Sequence, residues 1–284
     1  MSDLYYVAPS ERPALERGTA ILVDAEARHL TRVMRKKVGD EADLFDGSGT
    51  LFRARIASIE RDRVELDVLE TRDDDREPNL ALSAIMALPK GDRQKWALEK
   101  LTELGVRRLI PLDAERADVK FDSDVRVRLE RQVLEASKQC GRLRIATILP
   151  SIKPSELPGL VELLDAKLSP EAPSERSELA KRLEERFDGF GLFDEFQPGD
   201  EVLRVVAHPI SDGFFGQRSF AELARRLSRI PKGVLLLIGP VGGFTDAEVQ
   251  NAVDQGWAPL DLGKQVYRVE TAAIVAAALF LHLE

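Results

Sequence analysis

The chain holds one cysteine, three histidines and no long apolar run, and each shortage removes a class of function. Cys140 alone cannot close an internal disulfide and is expected as a small packed residue. His29, His208 and His282 lie far apart in sequence, so no metal-ligand spacing exists and no metal partner is expected. The longest apolar run, Ala272 to Leu281, is about half of the roughly 20 residues a membrane helix needs. Met1-Ser2-Asp3-Leu4 lacks a basic stretch leading into an apolar one. A cytoplasmic protein with no membrane partner is expected. Positive charge is also short, with 41 Lys+Arg against 49 Asp+Glu in 284 residues, a net charge of −8. Unspecific binding to phosphate backbones needs many cations to release counterions, so indiscriminate nucleic-acid adhesion is excluded while local basic patches are not.

What is present divides in two. Residues 1–72 carry short strand-like runs: Thr19 to Val23, Glu41 to Phe45, Leu51 to Ile59 and Arg63 to Leu69. In the last, Val64, Leu66 and Val68 alternate with Arg63, Glu65 and Asp67, the period of a half-buried strand. Asp46-Gly47-Ser48-Gly49 reads as a hairpin turn. A small β-barrel is expected, ending in a charged, Pro-terminated linker at 73–79. From residue 80 to 284 short apolar strands alternate with amphipathic helices, the grammar of an α/β domain with a mainly parallel sheet. Expected strands are Leu80 to Leu88, Arg108 to Leu112, Val202 to Ala207 and Val234 to Ile238. Expected helices are Asp92 to Leu104, Asp124 to Cys140, Asp246 to Gln255 and one starting near Thr271. Residues 151–200 hold 12 Asp+Glu against 6 Lys+Arg. They read as an acidic surface insertion with one helix, Glu175 to Arg186.

Three loops carry candidate chemistry. Ile238-Gly239-Pro240-Val241-Gly242-Gly243-Phe244 turns out of an apolar strand, and Thr245 with Glu248 forms a capping box that starts a helix. At the carboxyl end of a strand such a turn lets a ligand approach the backbone; a tight connection that binds nothing would have the same sequence. The spacing fits neither the dinucleotide fingerprint nor the P-loop. A second turn, Leu262-Gly263-Lys264-Gln265-Val266-Tyr267-Arg268-Val269-Glu270-Thr271, leads into the apolar terminal helix, and the strand ending at Ala207 is followed by His208-Pro209. Arg28 to Lys37 holds five Lys+Arg and no acid. On a helix Arg28, Arg32, Arg35 and Lys36 share a face, with Leu30, Val33 and Met34 turned toward the barrel.

These blocks, with Lys90-Gly91-Asp92-Arg93, Thr102-Glu103-Leu104-Gly105-Val106, Glu115-Arg116 and Gln139-x-Gly141-Arg142, resemble the RsmE family of SPOUT-class RNA methyltransferases. His29-Leu30-x-Arg32-Val33-x-Arg35 and Leu44-Phe45-Asp46-Gly47-Ser48-Gly49 are similar to that family's PUA-like RNA-binding domain. Val241 stands where the family usually has Glu. The resemblance implies a trefoil-knotted α/β domain acting as a homodimer, which uses S-adenosylmethionine to methylate N3 of one uridine in 16S ribosomal RNA, within the small subunit. Cofactor contacts it implies are His208, Pro209, Ile238, Gly239, Pro240, Gly242, Gly243, Leu262, Gly263, Val266, Tyr267, Arg268 and Thr271. Arg268 and Glu270 become the expected catalytic pair, one stabilising the uridine anion and the other orienting it or relaying a proton. Arg28, Arg32, Arg35, Lys36, Lys90, Arg93, Arg116, Lys120 and Arg142 are the expected RNA contacts. Two neighbouring readings stay open, a SPOUT methyltransferase of another RNA and a non-catalytic RNA-binding or ribosome-assembly relative.

Overall fold

The computed structural model describes residues 4–73, 76–169, 171, 176–209 and 218–283. Contacts divide the chain into two compact units, Met1–Glu77 with Val133–Ile145, and Pro78–Gln132 with Ala146–Glu284. No helix among the described residues is long and apolar enough to cross a membrane.

The first unit is a five-stranded sheet of β1 (Leu4–Tyr6), β2 (Thr19–Val23), β3 (Glu41–Phe45), β4 (Thr50–Ile59) and β5 (Arg63–Asp73), in the order β1-β3-β4-β5-β2. Only the β1–β3 pair is parallel. The alternation read from the sequence is what builds the core: Val64 and Leu66 join Ala20, Leu22, Leu44, Ala54 and Ile56 on one face. Short helices α1 (Arg12–Leu15) and α2 (Asp24–Arg28) follow β1 and β2, and Ala27 and Leu30 enter the same core. The expected small barrel takes the form of a curled half-barrel. Register shifts between Arg53 and Ala54 and between Ile56 and Ser58 bend β4 against β5, but β1 and β2 remain unpaired edges among the described residues. The turn after β3 is as expected: Gly47 has φ +86°, Asp46 Oδ1 accepts from the Ser48 amide at 3.0 Å, and a Cβ on Gly47 would stand 2.9 Å from Ile145 Cδ1.

Residues 133–145 join this unit, although the sequence pattern placed them in the α/β domain. Leu134, Leu143 and Ile145 pack with Leu4 and Phe45, and Lys138 Nζ reaches Glu26 Oε1 at 2.6 Å. The expected linker is no loose spacer at its far end, because the Glu77 carboxylate accepts from Arg142 Nε and Nη2 at 2.7 and 2.9 Å. Asp74 and Asp75 of that linker lie outside the described residues.

The second unit is a seven-stranded parallel sheet. Its strands are β6 (Ala81–Met86), β7 (Arg108–Pro111), β8 (Thr147–Ile148), β9 (Val202–Ala207), β10 (Arg218–Ser219), β11 (Gly233–Ile238) and β12 (Ala258–Asp261), ordered β10-β12-β9-β11-β6-β7-β8. The central β6 and β11 are buried along their whole length, which is why they read as unbroken apolar runs rather than alternations. The helices after β6 are α3 (Asp92–Leu104), α4 (Ser123–Cys140), which passes into the first unit at Val133, α5 (Leu157–Leu168), α6 (Glu178–Arg186), α7 (Phe220–Ala224), α8 (Asp246–Asp254) and α9 (Val269–Leu281). Gly105 ends α3 at φ +96°, as its cap position predicts. Cys140, expected to be packed, is exposed at the last residue of α4.

Residues 151–200 are not a surface insertion. They form α5 and α6, and Leu157, Leu160, Leu164, Leu183, Phe193 and Phe196 belong to the main core with β11 and α8. Glu175, the expected start of the helix, lies outside the described residues, and α6 begins at Glu178 under a Ser177 cap. The acidic count misled because it weighed charge and not burial. Each buried aliphatic or Phe side chain contributes about 1.5–3 kcal/mol, against about 0–1 kcal/mol for an exposed ion pair, so the apolar stripe decides where the segment packs. Gly233 records that packing, since a Cβ there would lie 2.4 Å from Phe196 Cζ.

Candidate functional site

β12, β9 and β11 are neighbours in the sheet, so parallel pairing brings their carboxyl ends side by side. The three loops singled out in the sequence leave from those ends, where ligands bind in open α/β sheets. After β9 comes His208, whose amide donates to Leu260 O at 3.2 Å. After β11, Gly243 takes φ +71° and its amide closes a turn on Pro240 O at 2.8 Å. Thr245 then caps α8: its Oγ1 accepts from the Glu248 amide at 3.2 Å while Glu248 Oε2 accepts from the Thr245 amide at 2.8 Å. After β12, Asp261 Oδ1 accepts from the Gly263 amide at 2.8 Å, and Arg268 is the residue before the first turn of α9.

Together the loops enclose a cavity of about 260 Å³. His208, Pro209, Ile238, Gly239, Pro240, Gly243, Leu262, Gly263, Val266, Tyr267 and Arg268 all line it. The wall also holds Ala207, Val241, Phe244, Asp261, Gln265, Val269 and Ala272, which the sequence reading did not select, and Arg93, which it assigned to RNA. Gly242, Glu270 and Thr271 are not in the wall. The Gly242 carbonyl accepts from Arg116 Nη1 at 2.9 Å. Glu270 is 3% exposed in the first turn of α9, and its Oε2 has no hydrogen-bond partner among the described residues.

The wall chemistry suits an adenosine-bearing cofactor. Its surface is mostly aliphatic side chain and glycine backbone, with no cluster of lysines to hold phosphates. Gly239 is needed for shape, because a Cβ there would meet Phe244 Cδ2 at 2.9 Å. Asp261 is the one carboxylate on the wall among the described residues, which also holds two guanidiniums, Arg93 and Arg268. Burial pushes the His208 imidazole below its ordinary pKa of 6.5, against a smaller opposing pull from Asp246, so it stays neutral at pH 7.

The expected RNA contacts are placed less evenly. Arg28, Arg32 and Arg35 are exposed, and Arg28 lies 3.5 Å from Asp62. The single helical face does not form. Residues His29–Val33 make a π turn and Arg35 takes φ +56°, so Val33 and Met34 are 65% and 38% exposed rather than turned into the sheet. Lys36 Nζ donates to Glu41 O at 2.7 Å. In the other unit Lys120 is exposed and Lys90 lies 3.6 Å from Asp118. Arg142 is a correction: its side chain is 7% exposed and engaged with Glu77, a largely buried ion pair rather than an exposed phosphate contact.

A parallel α/β domain with a mostly apolar cavity at its strand ends is the architecture of a nucleoside-cofactor enzyme, and this chain also carries a separate small β unit. Residues 76–185 and 190–281 match the model of the RNA methyltransferase domain, and residues 22–69 that of the RNA methyltransferase PUA domain. The chain belongs to this RNA methyltransferase family. The match includes most of 151–200, in agreement with the core packing there. The Ribosomal RNA small subunit methyltransferase E of Bacillus subtilis is 27% identical over 279 residues, spanning 96% of this chain and 93% of that protein. Its namesake in Synechocystis is 27% identical over 277 residues, 96% of this chain and 75% of its own. A crystal structure of a Ribosomal RNA small subunit methyltransferase E from Neisseria gonorrhoeae bound to S-adenosyl methionine superimposes with a TM-score of 0.66 at 26% identity, covering 98% of this chain and 96% of that one.

Proposed function

We propose that this protein transfers a methyl group from S-adenosylmethionine to N3 of a uridine in small-subunit ribosomal RNA, working in the cytoplasm as a homodimer whose C-terminal segment is tied in the trefoil of the SPOUT class. The observation that carries this reading is the convergence of three separate loops on one apolar cavity with two guanidiniums in its wall. Full-length similarity to proteins named as small-subunit rRNA methyltransferases supports the substrate.

Gly239, Gly243 and Gly263 let the backbone approach the adenosine, and Ile238, Pro240 and Leu262 give it apolar walls. When bound, S-adenosylmethionine supplies a methyl group on a positively charged sulfur. The nucleophile is harder to provide, because uridine N3 carries a proton and becomes anionic as that proton leaves for water. Arg268 is placed to stabilise the anion. Glu270 lies off the wall, so it acts as a positioning residue: its carboxylate at the N-terminal turn of α9 favours the helix start that sets Arg268. Exposed Arg32, Arg35 and Lys120 supply phosphate contacts, which position RNA without reading its sequence. Arg116, whose Nη1 donates to Gly242 O, also steadies the glycine turn.

Two experiments test the reading. Calorimetric titration with S-adenosylmethionine is expected to show binding, and its absence at millimolar cofactor would favour a non-catalytic RNA-binding relative. Transfer of labelled methyl to purified small subunits, followed by nucleoside analysis, is expected to yield 3-methyluridine; another methylated nucleoside, or transfer only to a different RNA, rejects the substrate.

His208 adds a pH dependence. Its lowered pKa means that the unfolded chain takes up a proton first as pH falls below 6.5, so folding stability declines on acidification through that range. Once His208 itself protonates, the wall gains a third cation beside a cationic cofactor. Cofactor affinity is therefore expected to fall with acidification in the wild type and to fall less in His208→Asn, measured by calorimetry across the pH series. Parallel curves for the two proteins would remove His208 from the effect.

A further inference from the structure

Arg93 was expected among the RNA phosphate contacts, but the fold puts it elsewhere. It sits in the first turn of α3, half-buried, and lines the same cavity as Arg268, which arrives from the opposite end of the chain at the start of α9. Neither guanidinium makes a hydrogen bond or ion pair among the described residues, whereas Arg108, Arg116, Arg126, Arg142 and Arg186 are all engaged. The one wall carboxylate, Asp261, already accepts from the Gly263 amide through Oδ1. Two guanidiniums without a protein partner among the described residues, in the wall of one mostly apolar cavity, favour an anion between them. A cationic methyl donor does not relieve that imbalance. A uridine whose N3 has lost its proton does, because the negative charge spreads over N3 and both flanking carbonyl oxygens and so presents two sides to two donors.

We infer that Arg93 is a second catalytic arginine, which with Arg268 grips the uridine anion from opposite sides of the ring; this rests on the uridine-N3 reading above. The step balances simply. N3 gives its proton to water, its electron pair forms the new N–C bond, and the C–S bond breaks with its electrons passing to sulfur, which leaves as the neutral thioether. The arginines neither gain nor lose a proton. Their contribution is to lower the pKa of N3 in the complex, and a planar fork of donors suits a planar, delocalised anion better than a lysine does.

The test uses the full chain, small subunits that lack the modification, and the variants Arg93→Ala and Arg93→Lys, with folding checked by thermal denaturation. Single-turnover transfer by Arg93→Ala is expected to drop about 10²–10³-fold, the cost of removing one preorganised donor from a developing anion. Calorimetric affinity for S-adenosylmethionine and filter-binding affinity for the subunit are expected to stay close to wild type. The deficit is expected to shrink as pH rises, because N3 then ionises unaided, and to shrink likewise on subunits carrying 5-fluorouridine, whose N3 is more acidic. Arg93→Lys, which keeps the charge and loses the fork, is expected to fall between. Loss of cofactor affinity with an unchanged transfer rate would make Arg93 a holder of the cofactor carboxylate and overturn the inference. Weaker, more salt-sensitive subunit binding without rescue by high pH or 5-fluorouridine would return Arg93 to a phosphate contact. Failure of the wild type to form 3-methyluridine would defeat the functional reading itself, a result visible before any variant is compared.

Discussion

Arg268→Ala is expected to lower single-turnover methyl transfer by about 10²–10³-fold, or about 2.7–4 kcal/mol of transition-state stabilisation, while leaving the chain folded. The side chain is exposed, makes no hydrogen bond or ion pair among the described residues, and belongs to a residue in extended conformation (φ −66°, ψ 155°) immediately before α9. Removing it disturbs no packing. It does remove a cation from the wall where charge develops, and no other wall residue from the same loop replaces it: Lys264 is not in the wall, while Gln265 is neutral. Arg268→Lys is expected to recover part of the rate, since it restores charge but not the fork. Cofactor affinity measured alongside separates the roles, and full transfer by Arg268→Ala would exclude Arg268 from the chemistry.

The second large effect concerns stability. Arg108, the first residue of β7, directs both terminal nitrogens at the two carboxylate oxygens of Glu195 and also donates to Gly191 O at 2.8 Å. The two side chains are 7% and 12% exposed. Removing one partner strands the other as a nearly buried charge, so Glu195→Ala is expected to cost about 3–5 kcal/mol, read as a lower midpoint in urea denaturation. Because the pair tethers residues 191–195 to the sheet, loosening it also exposes Phe193 and Phe196, and proteolysis is expected to begin there. The double replacement Arg108→Met with Glu195→Leu is expected to regain much of the loss, because two apolar side chains need no partner. A single variant as stable as wild type would show that water reaches the pair and that the tether is weak.

The lining of the cavity was largely legible beforehand because it resides in contiguous loops. Gly239 to Thr245 and Leu262 to Thr271 announce strand ends and helix starts through glycine and capping residues, and local signals of that kind survive in one dimension. Glu270 and Thr271 were harder to place: they follow Arg268 immediately, yet the turn into α9 carries them off the wall. Arg93 was found as a charge but its place in the cavity wall was not, since nothing in Lys90-Gly91-Asp92-Arg93 says that α3 begins beside a loop more than 160 residues later. The single helical face read after β2 does not form, for a different reason. A helical wheel assumes a uniform turn, and the π turn at His29–Val33 with left-handed Arg35 rotates Val33 and Met34 outward.

The sequence by itself determined the parts of this protein that depend on neighbouring residues: the alternating strands of the first unit, the apolar runs of the parallel sheet, the caps of α3 and α8, and the glycine turns that open the cavity. Its scarcity of cysteine, histidine and long apolar runs likewise narrowed the chemistry before any fold was known. Only the tertiary structure decided which charges are available to a ligand. Arg142 and Arg108 are held by Glu77 and Glu195, and the acidic stretch 151–200 is pinned into the core through Phe193 and Phe196, whereas Arg93 and Arg268 both line one cavity. The physical reason is that burial and pairing are properties of contacts distant in sequence, and a charge does nothing definite until its partner, or the lack of one, is fixed in space.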